Sequence, residues 1–493
     1  MENKHQGLSA WQLTMMALGT VIGGSFFLGS SVAINAAGPS IILSFILGGV
    51  IVYFILFALS EMTVANPDVG SFRTFAAQAF GRGTGFVVGW VYWAGMVLAM
   101  SSEATAVSIL MREWVPNISI AWLGSFIIIG ITLLNLLGAD KLSKLESGLA
   151  AIKLLALASF ILIALLLILG LFPAVSSIGI GELVREPLMP TGIKGIAGSM
   201  LIVIFSYAGF EIIGLAASEA NNPIKTIPKA ISHTVLILLA FYIISIAVLL
   251  PLIPTSSLSE QSSPMVAALD RWGIGWAGSV ISFVLITAIL STMLAAMFGL
   301  GRMMRSLAEE GQAPRWLKER GNVPYRGILI SGLAMLAGLG IGLLLPSVYL
   351  FLISSGGFAL LFTYAVIMAT HLRFRKKYGC PPSGKCQMPG YPYSTWIVFL
   401  SLILIIISMP FISGQGTGLI AGVIMIALFS VMYIVLNRVH ILQTDRSQNK
   451  RLTGDLYKTK LSAEFSEELI DQLVDKNDCQ MKEKPDKERP DKG

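Results

Sequence analysis

Charge is scarce in this sequence. Asp, Glu, Lys and Arg make up 13% of its 493 residues, against about 25% in a soluble globular domain. Hydrophobic residues reach 55% and the mean hydropathy is +0.75, so much of the surface must face lipid. Histidine is scarcer still. His5, His233, His371 and His440 do not cluster and fall near the ends of apolar runs, so they are read as packing residues, with no metal or catalytic constellation. The three cysteines are Cys380, Cys386 and Cys479. Cys380 and Cys386 flank Pro-Pro-Ser-Gly-Lys without a neighbouring histidine, which argues against a metal site. There is no His-Glu-x-x-His, no Ser/His/Asp set and no paired catalytic carboxylates, so the chain is not expected to be an enzyme. Gly81-Arg-Gly-Thr-Gly85 lacks the Gly-Lys-Ser/Thr ending of a phosphate loop and reads as a membrane-surface turn. No cofactor is expected.

What the sequence has in quantity is long apolar runs. A bilayer core of about 30 Å needs roughly 20 apolar residues per helix. Twelve candidate spans lie near residues 11–35, 40–64, 85–111, 119–138, 147–171, 196–219, 231–252, 275–300, 327–345, 348–370, 394–412 and 418–437. The first run is too long for a cleavable signal peptide. The net charge of +7 does not point to nucleic acid, because the basic residues sit in short gaps between apolar runs. Gaps after even-numbered spans, with Lys4 at the N-terminus, hold eighteen Lys and Arg residues; gaps after odd-numbered spans hold Arg112, Arg185, Lys194 and Arg271, which is four. Eighteen against four predicts both termini in the cytoplasm. That assigns the cysteines to a compartment where thiols stay reduced.

The expected organisation is an N-terminal tail over 1–9, a membrane domain over 10–440, and a charged tail over 441–493. The tail ends in Lys482-Glu-Lys-Pro-Asp-Lys-Glu-Arg-Pro-Asp-Lys492 and lacks the apolar content to bury a core. Within it Ser462 to Val474 could form a short amphipathic helix.

Two apolar spans are interrupted. The first contains Leu18-Gly-Thr-Val-Ile-Gly-Gly-Ser-Phe-Phe-Leu-Gly29. Gly19, Gly23, Gly24 and Gly29 each weaken a helix by about 1 kcal/mol relative to alanine. Gly23, Gly24 and Ser25 could release the backbone, exposing amides at a half-helix N-terminus that attracts a carboxylate. Alternatively Gly19 and Gly23 form a small-residue packing face. The sixth span favours the first reading. Its centre, Val203-Ile-Phe-Ser-Tyr-Ala-Gly-Phe-Glu-Ile-Ile213, is broken by Gly209 and the ionisable Glu211, and a carboxylate at membrane depth is functional by default. Two interrupted helices five spans apart are the sequence pointer to a transporter site. They predict a pseudo-repeat, residues 10–171 and 196–370, with two added helices over 394–437.

The chain here resembles the amino acid permeases of the amino acid–polyamine–organocation superfamily, over about residues 8–440. The resemblance rests on Gly19 to Gly29 and Gly38-Pro39; on Glu61-Met62, Pro67, Gly70-Ser71 and Gly89-Trp90; on Gly209-Phe-Glu211 and Ser218-Glu-Ala-Asn-Asn-Pro-Ile-Lys-Thr-Ile-Pro228; and on Arg302 to Ala313-Pro314 with Pro324. It implies an all-α membrane protein of twelve helices with a leucine-transporter-like inverted repeat. It implies secondary active transport of an L-amino acid across the cell membrane, with the amino acid, a proton and the lipid bilayer as partners. The resemblance offers the amides of Gly23, Gly24 and Ser25 to the substrate carboxylate, with Thr20 and Val21 nearby. Carbonyls of Phe205, Ser206 and Ala208 beside Gly209 would receive the amino group. Phe205 matches a gating aromatic, and Glu211 would brace the unwound segment.

Lys153 lies inside the apolar run from Ser147 to Leu171, where an unpaired lysine costs several kcal/mol and readily loses its proton. Ile152-Lys-Leu-Leu155 matches the position at which sodium-independent relatives carry a lysine in place of a sodium ion. Lys153 would then carry charge or protons against helix 1 carbonyls and Thr287 or Ser291. Glu103, in Ala99-Met-Ser-Ser-Glu-Ala-Thr105, either lines the substrate path or caps a polar cluster with Ser101 and Ser102. The apolar Met96, Met100, Phe205, Tyr207 and Phe210 lean the substrate toward neutral amino acids. Proton symport, amino acid exchange and a non-transporting amino-acid-gated sensor remain the alternatives.

Overall fold

In the computed structural model of the chain, the described residues are 8–65, 71–171, 177–211, 213, 220–319, 321, 323–380 and 388–438, with backbone alone for 71, 139–151 and 223. Residues 1–7, Pro67, Gly70, Ser218, Glu219 and Cys386 lie outside them. So does the tail from 441, with Cys479 and the helix expected over Ser462 to Val474.

Sixteen α-helices are described, with no strand among the described residues. They are α1 (Ala10–Val21), α2 (Gly24–Phe27), α3 (Gly29–Ala37), α4 (Ile41–Ala65), α5 (Ser71–Phe80), α6 (Arg82–Met111), α7 (Ile120–Asn135), α8 (Ala139–Leu169), α9 (Ile193–Ser206), α10 (Pro223–Leu249), α11 (Pro264–Arg271), α12 (Gly275–Glu309), α13 (Tyr325–Gly342), α14 (Val348–Tyr378), α15 (Tyr393–Ser408) and α16 (Gly416–Arg438). Nine stretches among the described residues are long and apolar enough to cross a membrane, and α7 and α9 are shorter apolar helices.

The chain enters α1 through a capping box, in which Ser9 and Gln12 satisfy each other's backbone N–H groups. Leu8 forms a parallel bridge with Ala220, and the Asn221 N–H donates to the Leu8 carbonyl at 2.9 Å. Gly81, at φ +97°, turns the chain from α5 into α6.

The core gathers around α6 and α14. Each is buried on most of its faces, and α6 also packs on α5, α7, α12, α13 and α16. Gly95 and Gly356 permit this approach: a Cβ on Gly95 would stand 2.2 Å from the Ala359 Cβ. Small residues at such crossings are how membrane helices gain close packing without a hydrophobic driving force. The outer helices show the opposite pattern. On α16, Ile420, Val423, Ile424, Leu428, Val431 and Ile434 are all more than half exposed. An apolar face of that size suits lipid contact.

Candidate functional site

The first site element is an interruption between α1 and α2. Ile22 and Gly23 leave helical geometry (ψ 104° at Ile22; φ −140°, ψ −162° at Gly23), and the helix resumes at Gly24. It runs on through Leu28, itself in right-handed helical geometry, into α3. Restarting a helix leaves N–H groups without backbone partners. Phe26 and Phe27 donate theirs to the Gly23 carbonyl, both at 3.1 Å. The Gly24 and Ser25 amides instead donate to the Glu103 carboxylate on α6, at 2.6 and 3.2 Å. On the carbonyl side, Lys153 of α8 donates its ammonium to the Gly19 carbonyl at 2.7 Å and to the Thr292 hydroxyl of α12 at 2.7 Å. Thr292 in turn reaches the Ile22 carbonyl at 3.1 Å. The break is thus held at its amide end by a carboxylate and at its carbonyl end by a cation, each matching the local backbone partial charge.

The second interruption follows α9. Helix stops at Ser206 and residues Tyr207 to Glu211 form turns. Gly209 stands at φ +105°, a backbone conformation that glycine adopts without steric cost. The Glu211 carboxylate accepts the Gly209 N–H at 2.8 Å and the Tyr364 hydroxyl of α14. The Tyr242 hydroxyl of α10 donates to the Ser206 carbonyl at 2.8 Å.

The two interruptions touch. The Thr20 hydroxyl reaches the Gly209 carbonyl at 3.2 Å, and the Ser206 hydroxyl reaches the Ser25 carbonyl at 3.2 Å. A Cβ on Gly209 would lie 3.0 Å from the Thr20 carbonyl oxygen. Thr20, Val21, Gly23, Gly24, Ser25, Phe205, Ser206, Ala208 and Gly209, expected from sequence to act together, therefore sit in or beside two adjoining stretches where the helical backbone pairing is interrupted. Phe205 is buried and Ala208 half-buried. The Phe205 carbonyl accepts the Ala208 N–H at 2.9 Å.

Three expectations need correction. Lys153 does meet a helix 1 carbonyl, but its hydroxyl partner is Thr292. The Thr287 hydroxyl turns back to the Val284 carbonyl at 2.8 Å, and the buried Ser291 hydroxyl makes no hydrogen bond to Lys153. One residue along a helix is about 100° of rotation, which hydropathy alone does not resolve. Glu103 does not cap a cluster with its serine neighbours. Ser101 bonds the Val97 and Met335 carbonyls at 2.9 and 3.0 Å and Ser102 bonds the Ala99 carbonyl at 2.7 Å, leaving the carboxylate to face the α1–α2 break. Cys380, expected as a reduced thiol, is disulfide-bonded.

A second polar cluster escaped the sequence reading. Glu61, fully buried near the end of α4, binds His371 Nε2 at 2.7 Å, Arg375 Nε at 3.0 Å and the Met388 N–H at 2.7 Å. It joins α4, α14 and the segment before α15. His371 is therefore a hydrogen-bond partner of a buried carboxylate rather than simple packing. Like Glu211, Glu61 is a carboxylate closing an apolar run, and that shared position was the available signal.

A family model described as amino acid permease matches residues 12–449. The chain is 33% identical over 433 residues to the gamma-aminobutyric acid permease of Bacillus subtilis (strain 168), covering 85% of this chain and 92% of that protein. It is 34% identical over 427 residues to the gamma-aminobutyric acid permease of Escherichia coli (strain K12), covering 84% and 91%. It is also 30% identical over 450 residues to a probable threonine/serine transporter of Bacillus subtilis (strain 168), covering 88% and 96%. Matches of this extent, on a chain of apolar helices long enough to cross a membrane, make it a multi-pass membrane protein of the amino acid permease family.

Proposed function

We propose that this chain is a secondary active transporter of neutral amino acids in the cell membrane, sodium-independent and proton-coupled. Its substrate carboxylate binds the amides at the α1–α2 break. Its amino group meets carbonyls of the segment after α9. The observation that carries this reading is that the Gly24 and Ser25 amides already hold a carboxylate, that of Glu103. Lys153 stands where a cation would neutralise the carbonyl end of the same break, which suits coupling to protons. Protonation would bias the helix bundle between its inward- and outward-open arrangements.

Twelve spans in two related halves follow from counting α1–α3, α4, α6, α7 and α8 as spans one to five. Spans six to ten are then the α9 region, α10, α12, α13 and α14, and α15 and α16 complete the twelve. The packing supports the pairing. Helix contacts exchange when each span of one half is replaced by its counterpart: α1 on α10 by α9 on α4, α8 on α12 by α14 on α6, and α6 on α13 by α12 on α7. A quasi-symmetric pair of five-helix halves with a broken first helix in each is a transporter architecture. Both termini would face the cytoplasm.

Neutral specificity draws on the apolar Met96, Met100, Phe205, Tyr207 and Phe210 and on relatives named for gamma-aminobutyric acid and for threonine/serine, all substrates without net charge. The test is uptake by proteoliposomes, screened by competition against the twenty amino acids and 4-aminobutanoate. Competition by small neutral zwitterions is expected, and strong competition by lysine or arginine alone refutes neutral specificity. Vesicles lacking internal substrate separate symport, which proceeds there, from exchange, which does not.

A further inference from the structure

Glu103 holds a position that amino acid transport by itself does not require. A carboxylate at membrane depth is costly unless it is hydrogen-bonded or paired. This one, 3% exposed, has both oxygens satisfied by backbone, Oε2 by the Gly24 amide and Oε1 by the Ser25 amide. Those are the N–H groups that the restarting helix leaves outside its own bonding. The fit is tight because residue 24 is glycine: a Cβ there would lie 2.6 Å from Glu103 Oε2. The nearby hydroxyls of α6 offer no substitute, since Ser101, Ser102, Thr105 and Ser108 all bond main-chain carbonyls.

A free amino acid presents the same group: two oxygens, one negative charge, one plane. Two N–H donors cannot serve two carboxylates at full strength, and the doubled negative charge would repel. We propose that Glu103 is a built-in occupant of the carboxylate subsite, an autoinhibitory side chain that the substrate's carboxylate displaces. The inference rests on the carboxylate subsite described under Proposed function. Displacement makes binding a competition, in which the apparent affinity equals the intrinsic affinity scaled by the fraction of protein whose amides are free. It also leaves the α1–α2 break of the empty protein capped.

The experiment uses the full-length protein in detergent, with Glu103→Gln and Glu103→Ala beside the parent. The probes are 4-aminobutanoate, L-threonine and butanoate, the last a carboxylate without an amine. Binding is read by displacement of radiolabel, and folding by monodispersity and melting temperature. A neutral amide accepts more weakly than a carboxylate, so Glu103→Gln is expected to bind the amino acid at least about tenfold more tightly than the parent. Both variants should bind butanoate and the parent should not. Glu103→Gln preserves the shape of the side chain and keeps the test alive if Glu103→Ala does not fold. Where the parent binds an amino acid, unchanged or weakened binding of it in a folded variant overturns the proposal, and so does failure of butanoate to bind either variant. If butanoate binds the variants while no amino acid binds any version, the occupant role stands and the transport reading falls.

Discussion

Gly209 carries a backbone strain that only glycine escapes. At φ +105° an alanine would pay about 1–3 kcal/mol, and its Cβ would press on the Thr20 carbonyl at 3.0 Å. Since about 1.4 kcal/mol is tenfold in an equilibrium, Gly209→Ala is expected to cut uptake at least about tenfold. Uptake normalised to the amount of protein in the membrane checks this. Lys153 is the other residue whose loss should be felt directly. Lys153→Ala takes the cation from the Gly19 carbonyl, and uptake should fall together with its dependence on pH; full uptake with an unchanged pH profile would end its coupling role. At this scale the sequence was legible where a residue contradicts its surroundings. Lys153, Glu211 and Gly209 each stand out against an apolar run. It was illegible where the answer depends on which backbone group lies across a gap. That Glu103 meets Gly24 and Ser25 is a matter of helix rotation and crossing, which one strand of text does not contain.

Among the elements, the short α5 and the end of α12 illustrate a limit of hydropathy. The apolar window ends near residue 300, yet α12 continues to Glu309, and α14 continues to Tyr378, because a helix does not stop where the bilayer does. The extension has a use. Arg73 on α5 is buried against Glu310, just past α12, and its guanidinium also donates to the Ser306 hydroxyl and the Gln312 side-chain oxygen at 2.9 and 3.1 Å. Loop arithmetic had counted Arg73 only as a cytoplasmic charge. Breaking a buried pair from one side costs about 3–5 kcal/mol. The Glu310 side chain is 38% exposed, so Glu310→Ala should destabilise by about 2 kcal/mol, read as a lower melting temperature. Replacing both partners, Arg73→Met with Glu310→Leu, should recover most of that loss. The interruptions at residues 22–23 and 207–211 were legible because adjacent glycines weaken a helix and a charged residue is rare at that depth. Elements α5 and α11 were not, being short and lying outside the apolar runs that the reading followed.

For the molecule as a whole, every residue of the proposed transport site belongs to the helical unit whose last helix ends at Arg438. Deleting residues 441–493 is therefore expected to leave uptake within about twofold of the parent, a change worth less than 0.5 kcal/mol. Loss of uptake would contradict the placement of the transport site. The bridge from Leu8 to Ala220 has a mechanical consequence at this scale. It ties the chain entering the first broken helix to the chain leaving the second. Opening the protein on that side must either drag both strands of the seam as one hinge leaf or unzip it, and a covalent clasp between positions 8 and 220 would tell which, by permitting turnover in the first case and freezing it in the second.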